Sequence, residues 1–336
     1  MLLQIEDLKT YYKVGNRYSR AVDGVSISVE KGENLGLIGE SGCGKTTLVK
    51  SILRLLPKNA EIMGGRIKFL ESDLLDMDEE RMRELRWKHI SMIPQSSMNA
   101  LNPVHRVGDQ VAEVFRLHKK MSKDDMMKKV QELFELVGLE IKRMRDYPHQ
   151  LSGGMKQRVL IAMALALEPS LIIADEPTTA LDVITRDNIL EELMRLQSKF
   201  GNSILYVTHD ISVVAERCHR VAIMYAGKLM EHGDVVSVFT QSRHPYTIGL
   251  KRSFPSLKSR SLISIPGSPP PLTTEEKGCR FRQRCPLSVD ICSQSEPNET
   301  EIGKGHFVAC HRWDEVKTLR ELASDDEAWQ TGKGLS

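Results

Sequence analysis

The chain has 336 residues, with 47 Lys or Arg against 45 Asp or Glu and a formal charge of +2. So even a balance raises no field that gathers nucleic acid or an anionic membrane by charge alone, and no nucleic-acid partner is expected. At 40% hydrophobic and 27% charged residues the composition is globular, and single cores stop growing near roughly 250–300 residues, so one large α/β domain plus a smaller part is expected. Residues 1–13 carry Glu6, Asp7 and Lys9 within their apolar pattern, unlike a secretory leader. The longest apolar run, residues 159–167, is far short of the roughly 18 residues a spanning helix requires. A soluble chain is expected, reaching any membrane through other proteins.

Residues 2–9 and 25–30 alternate apolar and polar side chains, as half-buried antiparallel strands do. Residues 33–38 read as a strand entering a glycine-rich turn, and 45–56 as the helix that follows. Gly64-Gly65 reads as a turn before a strand at 66–69, and Pro94 ends a short buried strand at 89–93. From about residue 99 to 149 the pattern is helical and charged, with a helix at 126–137 that Gly138 stops. Then come a helix (154–167), a strand (171–174), a helix (185–200) and a strand (203–207). This alternation implies a mainly parallel sheet covered on both faces. Residues 222–225 and 228–233 suggest a closing hairpin. Beyond about residue 241 the texture changes: 253–271 is rich in Ser and Pro and reads as an extended linker. Clustered cysteines follow, then a polar tail around 325–327 whose composition favours disorder. No internal repeat is visible.

Gly39-Glu40-Ser41-Gly42-Cys43-Gly44-Lys45-Thr46, followed by Thr47, fits G-x-x-x-x-G-K-[ST] at a strand–helix junction. Glycines let backbone N–H groups crowd against phosphate, and the helix start aims its free N–H groups and positive dipole end at the same anion. Lys45 is expected on the β- and γ-phosphates, and the Thr46 hydroxyl on Mg²⁺. Chance gives roughly one such match per hundred chains of this length. Cys43 reads as a space-filling member of the loop. An apolar strand ending in Asp175-Glu176 supplies the second half: Asp175 to hold Mg²⁺ through water, Glu176 as general base.

Leu151-Ser152-Gly153-Gly154-Met155-Lys156-Gln157-Arg158, just ahead of that acidic strand, resembles the signature of ABC ATPases. Ser152 with its two glycines opens a second anion-binding helix start, and it is also a plausible N-cap. The resemblance implies a head-to-tail pair in which Ser152 of one subunit touches the γ-phosphate held by the other. Other pieces follow in the family's order. Gln95, after Ile93-Pro94, resembles the glutamine-loop residue that senses Mg²⁺ and links hydrolysis to membrane subunits. Ala180-Leu181-Asp182 resembles the loop crossing the dimer interface, and His209 the switch histidine at the γ-phosphate. Tyr12 fits the aromatic that stacks on adenine, with Tyr11 as runner-up. Residues 95–104, His244-Pro245-Tyr246-Thr247 and Ile265-Pro266-Gly267-Ser268-Pro269-Pro270 resemble the ATPases of dipeptide and oligopeptide importers; nickel importers share much of this pattern.

Cys279, Cys285, Cys292 and Cys310 are spaced C-x5-C-x6-C-x17-C. Four thiolates can hold zinc or an iron–sulfur cluster, and structural zinc usually takes close C-x2–4-C pairs that this run lacks. The wider gaps suit a larger object. Peptide-importer ATPases carry similar cysteines on a [4Fe–4S] cluster, which the resemblance implies here, with zinc, free thiols or disulfides as alternatives. The role is expected to be a staple, because an extension with few apolar residues builds no core of its own.

The expected fold is therefore α/β: a P-loop NTPase (RecA-like) core with an N-terminal antiparallel β subdomain, a helical insertion at about 96–152 and a small metal-binding C-terminal extension. The nucleotide-binding domain is expected over 1–240 and the extension over 241–336. The resemblance implies ATP hydrolysis with Mg²⁺ at the cytoplasmic face of the cell membrane, with the chain peripheral to it. It further implies a second ATPase subunit (identical or similar), two integral permease subunits and, indirectly, an extracytoplasmic substrate-binding protein. The rival reading is a soluble ABC ATPase working on DNA or ribosomes.

Overall fold

The computed structural model describes residues 1–95, 100–179, 181–253, 265–273, 277–324 and 328–329. Residues 96–99 after the glutamine loop, Ala180, most of the linker and the 325–327 tail therefore lie outside the described residues. The chain divides into two compact units, one made of Met1–Leu3, Val29–Asn34 and Phe69–Val207, the other of Gln4–Ser28, Leu35–Lys68 and Thr208–Ser336.

The first unit is built on three parallel strands, β6 (Ile90–Ile93), β7 (Leu171–Asp175) and β8 (Ser203–Thr208), with β7 in the middle. Every residue of β7 and β8 is buried, the signature of a strand covered on both faces. Helices α3 (Val107–His118) and α4 (Lys123–Leu136) pack on each other and on α5 (Gly153–Leu165), which also meets β6 and α6 (Val183–Phe200). Three of these helices start on side-chain caps that satisfy otherwise orphaned N–H groups. Ser122 accepts from Asp125 N, Ser152 from Met155 N and Asp182 from Thr185 N. Gly138 (φ +67°) follows the C-terminus of α4, the stop read from the sequence.

In the second unit β1 (Leu3–Val14) lies between β2 (Arg17–Val29) and β4 (Ala60–Phe69). Gly64-Gly65 is not a turn: β4 runs through it. Gly65 (φ +91°) bends the strand there, where an added Cβ would stand 2.5 Å from the Asp7 carbonyl oxygen. Helix α1 spans Lys45–Ile52, shorter than 45–56, because Arg54 turns into the left-handed region (φ 51°). Strand β3 (Asn34–Ile38) pairs in parallel with β9 (Arg220–Tyr225), which turns at Ala226-Gly227, both with positive φ, into antiparallel β10 (Lys228–Asp234). A further hairpin, β11 (Thr300–Gly303) and β12 (His306–Val308), adds to the β10 edge.

The expectation that the extension builds no core fails. Phe281 is fully buried, its ring 5.3 Å from those of both Tyr225 and Tyr246, and Leu287, Val308, Leu319, Leu322 and Trp329 are buried as well. The extension is poor in apolar residues, but around Phe281 it joins its own Tyr246, from α9 (Pro245–Arg252), to Tyr225 of β9.

Candidate functional site

Within the second unit the Gly39–Thr46 loop joins β3 to α1. Gly44 caps α1 at φ +109°, and a Cβ there would stand 2.0 Å from the Ala21 carbonyl oxygen, so only glycine lets the loop close this tightly. The Lys45 side chain is buried, and its ammonium donates to the Gly39 and Glu40 carbonyls at 2.6 and 3.1 Å, which folds it over the loop. Cys43 is buried and its thiol is pushed up by that burial, which fits a packing role. Thr46 is half-buried, Ser41 and Gly42 are exposed, and the Thr47 hydroxyl meets the Tyr12 hydroxyl at 3.2 Å. Tyr12 thus stands beside the start of α1. Tyr11 is committed elsewhere: it donates to Asp23 at 2.6 Å and packs against Tyr18 and Arg20. His209 directly follows β8 and is exposed, while Asp210 caps α7 (Ile211–Arg217) through Ser212 N.

Within the first unit the register of β7 against β6 and β8 puts Asp175 at the C-terminal edge of the sheet, almost fully buried. Glu176 comes next with φ 47°, a conformation uncommon for a residue with a Cβ, held by its N–H donating to Val207 O at 2.7 Å. Its carboxylate accepts from Gln95 Nε2 at 3.0 Å and from the Thr179 hydroxyl at 2.9 Å. The sequence reading missed Thr179; its signal was the three-residue spacing after Glu176. The starts of α5 and α6 come together. A Cβ on Gly154 would stand 2.6 Å from Thr185 Cγ2, and one on Gly153 would stand 3.2 Å from Leu181 Cδ2, so Ser152 and Asp182 cap neighbouring helices.

Cys279, Cys285, Cys292 and Cys310 line one pocket, with Phe281, Leu287 and His244 among its other walls. Cys279 N donates to Cys292 O at 2.8 Å, tying two of them through the backbone. Burial first, then the neighbouring thiolates, pushes Cys279 up to about 11 and Cys310 up to about 12, and Cys285 well above its ordinary value. No three His, Cys, Asp or Glu among the described residues form a group that could hold a metal ion. Two arginines beside these cysteines escaped the sequence reading. Arg280 is paired with Asp23, and Arg284 with Glu40 of the phosphate loop. Among the described residues, no helix is long and apolar enough to cross a membrane.

A family model described as ABC transporter matches residues 22–179, and one for the C-terminal region of oligopeptide/dipeptide transporters matches residues 230–292. The oligopeptide transport ATP-binding protein of Bacillus subtilis is 44% identical over 313 residues, 91% of this chain and 87% of that one. The dipeptide transport ATP-binding protein of the same organism is 44% identical over 329 residues, 96% of this chain and 98% of its own. The oligopeptide transport ATP-binding protein of Escherichia coli is 42% identical over 93% of both. Among solved structures, an ATP-binding cassette captured as a dimer in a post-hydrolysis state with ADP and Pi superposes with TM-score 0.63 at 28% identity, over 70% of this chain and 99% of that one. The mixed α/β architecture is thus the ABC ATPase fold.

Proposed function

The chain belongs to the ATP-binding subunits of peptide ABC transporters, and on that premise we propose how its residues divide the work of one ATP cycle. It is the ATP-hydrolysing subunit of a di- or oligopeptide importer. Lys45 and the N–H groups of the loop take the β- and γ-phosphates, and Tyr12 stacks on the adenine. Thr46 and Asp175 are oxygen donors of the kind Mg²⁺ takes, and the ion neutralises charge on the phosphates when bound. Glu176 accepts a proton from the attacking water, Gln95 and Thr179 orient that carboxylate, and His209 contacts the γ-phosphate. The observation that carries this reading is the Glu176 carboxylate held between Gln95 and Thr179 at the end of a buried strand.

The Ser152 helix start and Asp182 serve a second ATPase subunit, so that each nucleotide is gripped from two chains. Closing of that pair is passed to two integral membrane subunits through the helical insertion over about 96–152, with the chain peripheral at the cytoplasmic face. The nucleotide-binding domain takes 1–240 and the extension 241–336.

The four-cysteine pocket is read as the seat of a [4Fe–4S] cluster. The donor set supports this: four thiols line one pocket. A cluster takes one thiolate per corner iron, whereas zinc draws its ligands to one point at about 2.3 Å.

Recovery of the tagged chain from membranes tests the whole reading. Two integral subunits should accompany it, with ATPase activity stimulated by a peptide-loaded binding protein. Recovery with ribosomes or DNA instead, or stimulation by nickel alone, would overturn it.

A further inference from the structure

Glu40 occupies a variable position of the phosphate loop, yet it is held from outside the loop at both ends. Arg284 Nη1 donates to its Oε2 at 2.7 Å and Nη2 to its Oε1 at 3.0 Å, the two-pronged geometry in which guanidinium meets carboxylate most strongly. The Glu40 N–H donates to the Tyr246 hydroxyl at 3.0 Å. Arg284 is in turn fixed: Nε donates to Pro266 O at 2.8 Å, Nη2 to Ile265 O at 3.1 Å, and the guanidinium lies 5.6 Å over the Tyr225 ring. Its side chain is 6% exposed against 25% for Glu40. An arginine that deeply buried is stable only when its donors are matched, so this fork is a built contact rather than a passing surface pair.

Arg284 immediately precedes Cys285, a wall of the cysteine pocket. A second route runs from the same pocket. Arg280, next to Cys279, donates to the Ala226 carbonyl and the Asp23 carboxylate, and the adjoining Gly227 N–H donates to Cys43 O of the phosphate loop at 2.8 Å. The residues flanking two of the four cysteines therefore reach the same loop.

We infer that Arg284 is a positioning residue for the phosphate loop, and that displacement of Cys285 is felt in nucleotide affinity through the Arg284–Glu40 fork. The inference rests on reading residues 39–46 as the ATP loop.

Equilibrium binding of a fluorescent ATP analogue with Mg²⁺ to the full chain, with a melting curve for each variant, tests it. Coupling between sites commonly changes affinity about 5- to 150-fold. Arg284→Ala and Glu40→Gln should each weaken binding at least about fivefold, and the double variant should be no worse than either, because both cut one link. Cys285→Ser should weaken binding in the wild-type background but not on top of Glu40→Gln. A general loss of structure would instead act in both backgrounds. If Arg284→Ala fails to fold, Glu40→Gln severs the fork from its more exposed side. Binding within about twofold of wild type for Glu40→Gln, additive effects in the double variant, or an equal Cys285→Ser effect in both backgrounds would overturn the inference. Lys45→Ala separates the two levels: if it binds ATP as the wild type does, the loop reading itself is wrong.

Discussion

The Gln95 side-chain amide donates to the Glu176 carboxylate at 3.0 Å, while Glu176 keeps a left-handed backbone (φ 47°) at the end of β7. That conformation carries strain of order 1–3 kcal/mol and persists where surrounding contacts over-determine it. Here the contacts are the bonds to Val207 O, Gln95 and Thr179. Glu176→Gln keeps the side chain's shape and removes its basicity. Turnover should fall by about 10²–10⁴-fold, the ordinary worth of a positioned base, while ATP binding survives. Phosphate release and retention of labelled ATP check this; a variant that turns over normally rules out Glu176 as base.

The phosphate loop offers a contrast between two glycines. Gly44 has φ +109° and no room, with the Ala21 carbonyl oxygen 2.0 Å from an added Cβ, whereas Gly42 has φ +79° and open space around it. Gly44→Ala should abolish nucleotide binding and lower the melting temperature. Gly42→Ala should retain measurable binding, since only the backbone preference, about 1 kcal/mol, is lost. Titration of both variants with ATP, beside melting curves, decides the order; equal effects would contradict the geometry.

Much of the fold was legible because its signals are local. The apolar run of β7, the cap Ser152 and the stop at Gly138 each act within a few residues, and each appears where the pattern put it. Gly64-Gly65 misled because two glycines ordinarily mark a turn, while here Gly65 lets β4 pass close to the backbone of residues 6–8. The fork from Arg284 to Glu40 was invisible for the opposite reason. It joins residues 244 apart, and nothing in an isolated Arg or Glu announces its partner. The aromatic core around Phe281 was missed likewise, since Tyr225 and Tyr246 come from outside the cysteine segment.

The four thiols make a spectroscopic prediction. They line one pocket, and burial makes Cys279, Cys285 and Cys310 costly to ionise unless a cation compensates them. Protein purified without oxygen should be brown and hold about four irons per chain, one for each corner of a cluster. Cys292→Ser should bleach it. A colourless protein with one zinc would replace the cluster by a mononuclear site.

Asp23 gives the acid limb of stability. Burial alone raises its pKa, but the Tyr11 hydrogen bond and the charges of Lys228, Arg280 and Arg20 outweigh that and hold the carboxyl below its ordinary 3.8. A folded value below the unfolded one means stability that is complete at neutral pH and lost as pH falls past 3.8 through the lower, folded value. Tyr11 runs the other way: burial first, then Asp23, raises its phenol from 10.0 to about 12, so its share is present below pH 10 and lost as pH climbs toward 12. Urea unfolding across pH should show Asp23→Asn much weaker than wild type at pH 7, with the gap narrowing in acid. A gap that widens in acid would reverse the sign.

Phe281 tests whether the aromatic core matters. Its ring is fully buried, 5.3 Å from Tyr225 and nearly perpendicular to it, and 5.3 Å from Tyr246, whose hydroxyl accepts from Glu40 N in the phosphate loop. Truncating a buried Phe to Ala costs about 3–5 kcal/mol, the transfer loss plus the cavity. Leucine, closer in volume, should cost less because the void is smaller. Tyr246 stands between this core and the loop, so Phe281→Ala should also weaken ATP binding, and Phe281→Leu should restore most of both losses. Urea midpoints and ATP titrations on the same samples separate the effects. Full stability in Phe281→Ala would mean that the extension is held by its cysteines and not by this ring.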